Sequence, residues 1–272
     1  MAFTVNTNVG AMAALQSLNA TNRGLSTVQS RINTGLAVAS TKDDSASFTI
    51  AQTLRGDMGG LKAVTSSLQR AKSTVDVAVA GAEQISDLVN QMKSKATEAS
   101  DAGMDADSRT AIGKDFTALK EQITTIINSS EFNGTNLLKA SGGTVSALQS
   151  TDTAAATLSV SNLNFDAITT AIGTTFTDAA TAKTMVGTLE TQAKSINTHL
   201  STLGSAARKI DGQLSFTSKL SDVIESGIGN LVDADLAKES ANLQALQVKQ
   251  QLGLQALSIA NQAPQSVMSL FR

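Results

Sequence analysis

Cysteine, tryptophan and tyrosine are all absent from this 272-residue chain, and proline occurs once, at Pro264. Without cysteine the chain can form no disulfide, thiolate nucleophile or cysteine-ligated metal site. Because proline is the strongest interrupter of helices, its near absence leaves long helices unbroken. The apolar residues, 41% of the chain, are mostly Ala, Leu, Val and Ile, with eight Phe. Such small side chains favour helices packed closely side by side over an enzyme core filled by aromatic rings.

Charge is also scarce, at 16% of residues, and the formal net charge is −2. This balance predicts no nucleic-acid partner and no attraction to an anionic membrane. Residues 1–22 and 250–271 carry no charge at all. Both stretches are too rich in Asn, Gln, Ser and Thr for a membrane span, which needs about 20 predominantly apolar residues. The first stretch also lacks the basic start and apolar centre of a cleavable secretory signal.

A seven-residue repeat runs through residues 61–99. Both apolar positions of the repeat are filled throughout, at Leu61, Leu68, Val75, Ala82, Val89 and Ala96, and at Val64, Ala71, Ala78, Ile85, Met92 and Ala99. A period of 3.5 predicts a helix about 58 Å long, at roughly 1.5 Å per residue, that supercoils left-handedly with partner helices. The frequent alanines allow these partners to approach closely.

Two further helices are predicted to pack against this one. The longer has its apolar seam at Leu189, Ala193, Ile196, Leu200, Leu203, Ala207, Ile210 and Leu214. The shorter follows Asp105 or Asp107 as its N-cap and places Ile112, Phe116, Leu119, Ile123 and Ile126 on one face. Residues 100–107, SDAGMDAD, predict a turn, so the first long helix and the short helix should form an antiparallel hairpin. We expect the core to be built from Leu61, Leu68, Val75, Ile85, Val89, Ile196, Leu200, Leu203 and Ile210.

The two ends of the chain carry weaker forms of the same repeat. Near the start it uses Ala11, Leu18, Leu25 and Ile32 with Ala14, Thr21, Val28 and Gly35; near the end it uses Leu236, Leu243, Gln250 and Leu257 with Leu246, Gly253, Ala260 and Val267. Isolated helices of this quality are marginal in water. We therefore expect them to order only against each other or against other copies of the chain, packing through Leu18, Leu25, Val28, Ile32, Leu236, Leu243, Leu246 and Leu257.

The middle of the chain, from Ala140 to Thr184, is rich in Ser, Thr, Ala and Gly. Residues 157–165, TLSVSNLNF, alternate as a strand does, and Asn133-Gly134 is a strong turn signal. These features predict one or two small β-hairpins at the far tip of a helical rod. The hydroxyl-bearing residues of this segment are equally well interpreted as a polar outer loop or as candidates for O-linked sugar, namely Thr144, Ser146, Thr151, Thr153 and Thr157.

The adjacent carboxylates Asp43 and Asp44 are the strongest candidates for chemistry. They stand in STKDDSASFTIAQTLR, residues 40–55, just before apolar residues at helical spacing, so an N-cap explains one of them better than a metal or acid–base pair. Asp105 with Asp107 lacks the glycine and the distal glutamate of a calcium loop. His199 is the only histidine and sits beside a helix seam. The sequence therefore predicts no enzyme, no metal and no cofactor.

Three stretches resemble the signatures of bacterial flagellins. They are RINTGLAVASTKDDSASFTIAQTLR (residues 31–55), SSEFNGTNLL (residues 129–138) and the C-terminal residues 228–272, beginning IGNLVDADLAKES. The resemblance spans about residues 1–139 and 180–272, with its parts in the family order. It is closest to compact, alphaproteobacterial-like flagellins that lack large outer domains.

The resemblance implies a mainly α fold, a long antiparallel helical bundle or coiled coil with a small β-hairpin region. Residues 1–40 and 233–272 would form the paired inner helices called D0, and residues 41–232 would form D1, with the β region around 135–180. It implies a secreted, extracellular subunit that polymerises into the flagellar filament for swimming, its terminal helices folding on assembly. A hook–filament junction adaptor is the alternative. The implied partners are other flagellin copies, the flagellar export apparatus and chaperone, the filament cap and the hook-associated proteins.

Overall fold

The computed structural model describes residues 7–152 and 156–270, with side chains described as far as residue 262. Helices dominate these residues, and the predicted fold class is confirmed. The elements are α1 (Val9–Thr34), α2 (Ser45–Ala99), α3 (Ala106–Ser129), β1 (Val145–Ala147), β2 (Leu158–Val160), α4 (Asp166–Ala171), α5 (Ala179–Val232) and α6 (Leu236–Leu270). None of the described helices is long and apolar enough to cross a membrane.

The chain divides into two compact units. The terminal unit comprises Met1–Gly56 and Val223–Arg272, and the central unit comprises Asp57–Asp222. The division falls within α2 and α5, so each of these helices contributes to both units. It lies inward of the predicted D0 and D1 boundaries at residues 40 and 233, and the assignment to D0 and D1 stays a prediction.

The core of the central unit follows the heptads of α2. All twelve of the apolar seam positions between Leu61 and Ala99 are buried, and none exposes more than 6% of its surface. On α5 the seam alternates between fully buried residues (Leu189, Ile196, Leu203 and Ile210) and half-buried ones (Ala193, Leu200, Ala207 and Leu214). From α3, Ile112, Phe116 and Ile123 enter the same core. Close helix packing of small residues therefore accounts for the unit, as the composition predicts.

Ion pairs show how the long helices of the central unit run. Lys72 of α2 pairs with Asp211 of α5, and Lys93 pairs with Glu190 at 2.8 Å. Residue numbers rise on one helix as they fall on the other, so α2 and α5 are antiparallel. Both pairs are substantially exposed, so they orient the helices more than they stabilise them.

A buried arginine closes the turn between α2 and α3. The Arg109 guanidinium donates hydrogen bonds to the carbonyl oxygens of Ala99, Asp101 and Met104, at 3.0, 2.9 and 3.2 Å. Ala99 ends α2, where helix carbonyls lack intrahelical partners. Asp105 caps the start of α3 by accepting the Ser108 N–H at 2.7 Å, so one of the two N-caps predicted there is observed.

The β region begins with the predicted turn at Asn133 and Gly134. Both residues have positive φ, 51° and 79°, and the flanking Phe132 and Thr135 exchange two backbone hydrogen bonds. Asparagine and glycine tolerate this left-handed backbone, which a two-residue hairpin of type I′ requires. Strands β1 and β2 then pair antiparallel, with Val145 opposite Val160.

The hairpin differs in position from the prediction that placed it at the tip of a rod. The Leu148 N–H donates to Ser67 Oγ of α2 at 3.2 Å, and the Gln213 side chain of α5 donates to the Gln149 carbonyl at 2.8 Å. The hairpin therefore lies along the flank of these helices. It does so because its alternate apolar residues, Val145, Ala147 and Val160, are buried in the shared core.

Candidate functional site

The terminal unit pairs α1 with α6, and short polar motifs set where each helix begins and ends. Asn8 caps α1 by accepting the Ala11 N–H at 3.0 Å. Gly35 ends α1 with φ 72°, a left-handed conformation in which glycine is favoured. Asp235 caps α6 by accepting the N–H groups of Ala237 and Lys238 at 3.0 and 3.1 Å. The sequence places one such signal at each of these helix ends.

Small residues set the close approach of α1 and α6. A Cβ atom at Gly24 would lie 3.5 Å from Leu246 Cδ1, and one at Gly253 would lie 3.4 Å from Leu18 Cδ1. Position 18 thus faces position 253, and position 24 faces position 246, so the two helices are antiparallel. The small residues of the seam let the two helices approach closely.

The predicted packing residues of this pair differ in how far they are buried. Leu18, Leu25 and Val28 are buried, whereas Ile32, Leu243, Leu246 and Leu257 are half-buried. Leu236 remains 49% exposed. Its neighbour across the pair would lie beyond Thr34, where α1 ends, so the single chain offers it no partner helix. Its packing against another copy stays a prediction.

A buried ion pair, which the sequence reading missed, links the junction ends of α1 and α6. Arg31 Nη1 lies 3.2 Å from Glu239 Oε1, and the Glu239 side chain is only 10% exposed. Arg31 Nε and Glu239 Oε2 are buried without a hydrogen-bond partner. Glu239 lies one heptad before Leu246, so extending the seam by one repeat would have located it.

Further along the pair, neutral polar contacts replace charge. The Asn8 side-chain amide donates to the Ala260 carbonyl at 2.7 Å. The Gln250 amide donates to Asn22 Oδ1 at 2.8 Å. The charged contact and the two amide contacts all follow the same antiparallel register. They specify how α1 and α6 align where apolar packing alone is weak.

Both terminal helices also present apolar side chains away from their shared seam. On α1 these are Val9, Met12 and Leu15, which are 73%, 66% and 48% exposed. On α6, Val248, Leu252 and Ile259 recur at helical spacing and are 56%, 57% and 69% exposed. We call the second set the outer stripe of α6. The helix is therefore apolar on two faces, of which α1 covers one.

The connectors beside this pair are tied together through their backbones. The N–H groups of Ala37 and Val38 donate to the Val232 carbonyl at 2.7 and 3.2 Å, and the Ala234 N–H donates to the Gly35 carbonyl at 2.9 Å. Ala51, Ile228 and Val232 form a separate small core next to them. The connectors are thus ordered by contacts within the terminal unit.

The two adjacent carboxylates act at different points of this connector. Asp44 Oδ1 accepts the N–H groups of Ala46 and Ser47 at 3.0 and 3.2 Å, so Asp44 is the N-cap of α2. Asp43 Oδ2 instead accepts from Ser40 and from the Ala39 N–H in the preceding turn. The Ser47 hydroxyl holds the pKa of Asp44 below its usual value, and the Ser40 hydroxyl does the same for the pKa of Asp43. Both carboxylates are ionised helix-start and turn ligands.

The remaining candidate residues lie apart from this pair. Thr144, Ser146, Thr151 and Thr157 are exposed, while Thr153 falls outside the described residues. The His199 ring stacks obliquely on Phe165, with centroids 5.1 Å apart, and burial lowers the pKa of the imidazole. Among the described residues no three His, Asp or Glu side chains are grouped to hold a metal ion.

Comparison with known proteins decides the family. Residues 5–143 match the bacterial flagellin N-terminal helical region, and residues 186–271 match the bacterial flagellin C-terminal helical region. The chain belongs to the flagellin family. Flagellin FljK of Caulobacter vibrioides is 45% identical over 98% of both chains, and a flagellin of Brucella melitensis is 36% identical over 98% of both. Flagellin C of Rhizobium meliloti is 32% identical over 98% of this chain and 99% of its own.

A solved structure agrees with the family assignment. The crystal structure of Bacillus cereus flagellin aligns with 54% of this chain and 86% of its own, at 27% identity and a TM-score of 0.51. Flagellins are structural proteins of the extracellular flagellar filament, and this chain is a filament subunit that polymerises with other flagellin copies for motility. Nothing in these matches favours the hook–filament junction adaptor.

Proposed function

We propose that the α1–α6 pair is the surface through which this subunit assembles, and that the pair becomes fully ordered only in the filament. The observation that carries the proposal is the second apolar face of α6. Covering one side chain of this outer stripe contributes roughly 1–2 kcal/mol, and a helix with two apolar faces is typical of a buried position. Neighbouring copies of the chain supply that cover.

The seam between α1 and α6 supports the same conclusion from its weakness. It holds Thr21, Gly24, Gln250 and Gly253 where strong coiled coils place larger apolar residues. Ordering the backbone costs roughly 1–2 kcal/mol per residue, and this seam alone offsets little of that cost. Contacts with neighbouring copies supply the remaining stabilisation, so folding of the pair is coupled to assembly.

The two faces involved are different, and this determines the kind of assembly. The outer stripe of α6 cannot be covered by the seam that α1 already occupies, so it must meet another surface on a second copy. A contact between two unlike surfaces that does not close into a ring produces a helical filament. On this basis we assign residues 1–40 and 233–272 to D0, and residues 41–232 to D1.

The other partners follow from a subunit with marginal terminal helices and a purely structural role. Before assembly its α6 exposes Val248, Leu252 and Ile259 to water. An export chaperone that covers this helix, and the flagellar export apparatus that takes up the unfolded chain, would protect it from aggregation. At the filament ends the cap and the hook-associated proteins present the same kind of surface as a neighbouring subunit.

The exposed hydroxyls of Thr144, Ser146, Thr151 and Thr157 support O-linked glycosylation in the β region. Each lies at the surface, where a transferase can reach the hydroxyl without unfolding the subunit. The intact mass of filament subunits tests this directly. Added hexose or related sugar masses that map to residues 140–160 support modification, and an unmodified mass identifies the segment as a plain polar loop.

Seeded polymerisation tests the assembly role of the outer stripe. Purified subunits are mixed with sheared filament seeds and followed by negative-stain electron microscopy and circular dichroism. Wild-type chains should form long filaments as their helicity rises. The variant Val248→Ser, Leu252→Ser, Ile259→Ser should remain monomeric, with the helicity increase lost.

A matched variant on the same helix separates assembly from helix propensity. Replacing Gln244, Gln251 and Gln255 with serine changes three exposed polar residues and leaves the outer stripe intact. This control should polymerise as the wild type does. Wild-type helicity that is complete before seeding, or a serine-substituted stripe that still elongates normally, would contradict the proposal.

A further inference from the structure

The outward face of α2 in the central unit is acidic. Asp76, Glu83 and Asp87 recur at helical spacing, all three are exposed, and no ion pair is formed by any of them among the described residues. Exposed Ala80 lies between them, so the face has no bulky side chains. We call this set of three carboxylates the acidic ridge.

The lysines of α2 that could neutralise the acidic ridge are engaged elsewhere. Lys72, one turn before Asp76, pairs with Asp211 of α5, and Lys93 pairs with Glu190 of α5. Lys95 lies 3.5 Å from Glu98 and 3.7 Å from Asp115 of α3. The negative charge of the ridge therefore faces solvent largely uncompensated.

The outward face of α5 carries the opposite sign. Lys194, Arg208 and Lys219 are exposed and lie on the side of the helix away from its buried seam residues Ile196 and Ile210. Serine, threonine and glycine fill the positions between the three cations. The acids of α5 that could neutralise them, Glu190 and Asp211, bind lysines of α2 instead. We call these three cations the basic ridge.

We infer that the acidic ridge of one subunit docks on the basic ridge of a second copy in the filament. This rests on the filament-subunit function and names a contact of the central unit, separate from the terminal helices. Charge complementarity selects the occupant, because each subunit carries both signs on different helices. The contact is heterologous, so it repeats from copy to copy without closing.

The geometry of the two ridges suits this docking. In a filament whose subunits all point the same way, α2 of one copy meets α5 of its neighbour antiparallel. The carboxylates of Asp76 and Asp87 are eleven residues apart, as are the cations of Arg208 and Lys219. Both spacings correspond to about 16 Å along a helix. The end charges of the two ridges can therefore pair at the same time, and complementary fields also speed and orient encounter.

Charge reversal tests the contact. One variant, called acid-reversed, carries Asp76→Lys, Glu83→Lys and Asp87→Lys. The other, called base-reversed, carries Lys194→Glu, Arg208→Glu and Lys219→Glu. Each alone should raise the critical concentration for seeded growth about tenfold or more, since three attractive pairs become repulsive. Added salt should reduce the defect, because it screens exposed charges.

Mixing the two variants gives the decisive result. The acid-reversed and base-reversed proteins should co-polymerise when combined, although neither elongates well alone, and a chain carrying all six substitutions should assemble by itself. A matched control, Asp107→Lys, Glu121→Lys and Glu131→Lys, makes the same charge change on and beside α3 and should grow like the wild type. If wild-type subunits polymerise and both reversed variants match them, the ridge contact is overturned while the filament function stands. Wild-type subunits that fail to polymerise would instead contradict the filament function itself.

Discussion

The two helix pairs of this molecule are built on the same seven-residue repeat but are packed to different degrees. In the central unit every α2 seam position from Leu61 to Ala99 is buried. In the terminal unit the α1–α6 seam contains glycine, threonine and glutamine, and large apolar residues such as Met12 and Ile259 remain exposed. A repeat therefore predicts that helices pair, whereas the residues that fill it determine whether the pair is complete within one chain.

This contrast assigns different tasks to the two units. The central unit has a continuous core drawn from α2, α3, α5 and the β-hairpin, with Phe116 and Phe165 fully buried within it. The terminal unit relies on one partly filled seam, one buried ion pair and a small core at the connectors. A subunit built in this way can stay folded and soluble through its central unit while its terminal helices await neighbours.

Removing a core ring should give the largest effect on subunit stability. Phe116 is fully buried and meets Phe176 edge-on, with ring centroids 4.8 Å apart. Phe116→Ala should lower the free energy of unfolding of the monomer by about 3–5 kcal/mol, because it leaves a cavity in a close-packed core. Denaturant unfolding followed by circular dichroism measures this loss.

An exposed phenylalanine of the same unit provides the control. Phe216 of α5 is 58% exposed, and Phe216→Ala should change the free energy of unfolding by no more than about 0.5 kcal/mol. Equal losses for the two substitutions would remove the basis for treating the central unit as a self-sufficient core.

A bulky residue in the terminal seam should act on assembly more than on the monomer. A Cβ at Gly253 would already lie 3.4 Å from Leu18, so Gly253→Leu forces its side chain into the α1–α6 contact. Small seam residues allow several nearly equivalent packings, and filling the seam should block elongation or restrict filaments to one shape. Electron microscopy of seeded filaments measures both outcomes.

Glycine at an open position supplies the matched substitution. A Cβ atom at Gly56 of α2 would have no neighbouring side chain within 4 Å among the described residues, so Gly56→Leu adds the same side chain without a clash. It should leave filament length and shape unchanged. An unaltered distribution of filament shapes for Gly253→Leu would show that the seam does not control packing.

The sequence predicts the long helices and their buried faces because the heptad spacing itself records burial. The same spacing misled in one place, Leu236, which continues the repeat beyond the end of its partner helix α1. The outer stripe of α6 was missed for a related reason, since a helix that is apolar on two faces has no single dominant period. The seam residues were therefore selected and Val248, Leu252 and Ile259 were not.

Contacts that depend on the fold could not be predicted from the sequence. Arg109 looks like an ordinary charged residue of a helix start, and only the turn between α2 and α3 brings three carbonyl oxygens to its guanidinium. The hairpin position is similar, because its alternating pattern predicts a strand but does not say which helices the strand covers. The short helix α4 was also missed, since six residues are too few to display a period.

The smallest expected effect is a loss of central-unit stability at mildly acid pH, caused by His199. Burial lowers the pKa of His199 in the folded chain, so the unfolded chain binds the proton more readily below pH about 6.5. The stabilisation is complete above that pH and is lost as the pH falls toward the lower folded pKa. Hydrogen bonds hold the pKa of Asp44 and Asp105 below the usual value, so their contributions are lost only at more acid pH. Urea midpoints measured between pH 7 and pH 5 should therefore decline for the wild type and stay flatter for His199→Gln, and parallel declines would assign the effect to other groups.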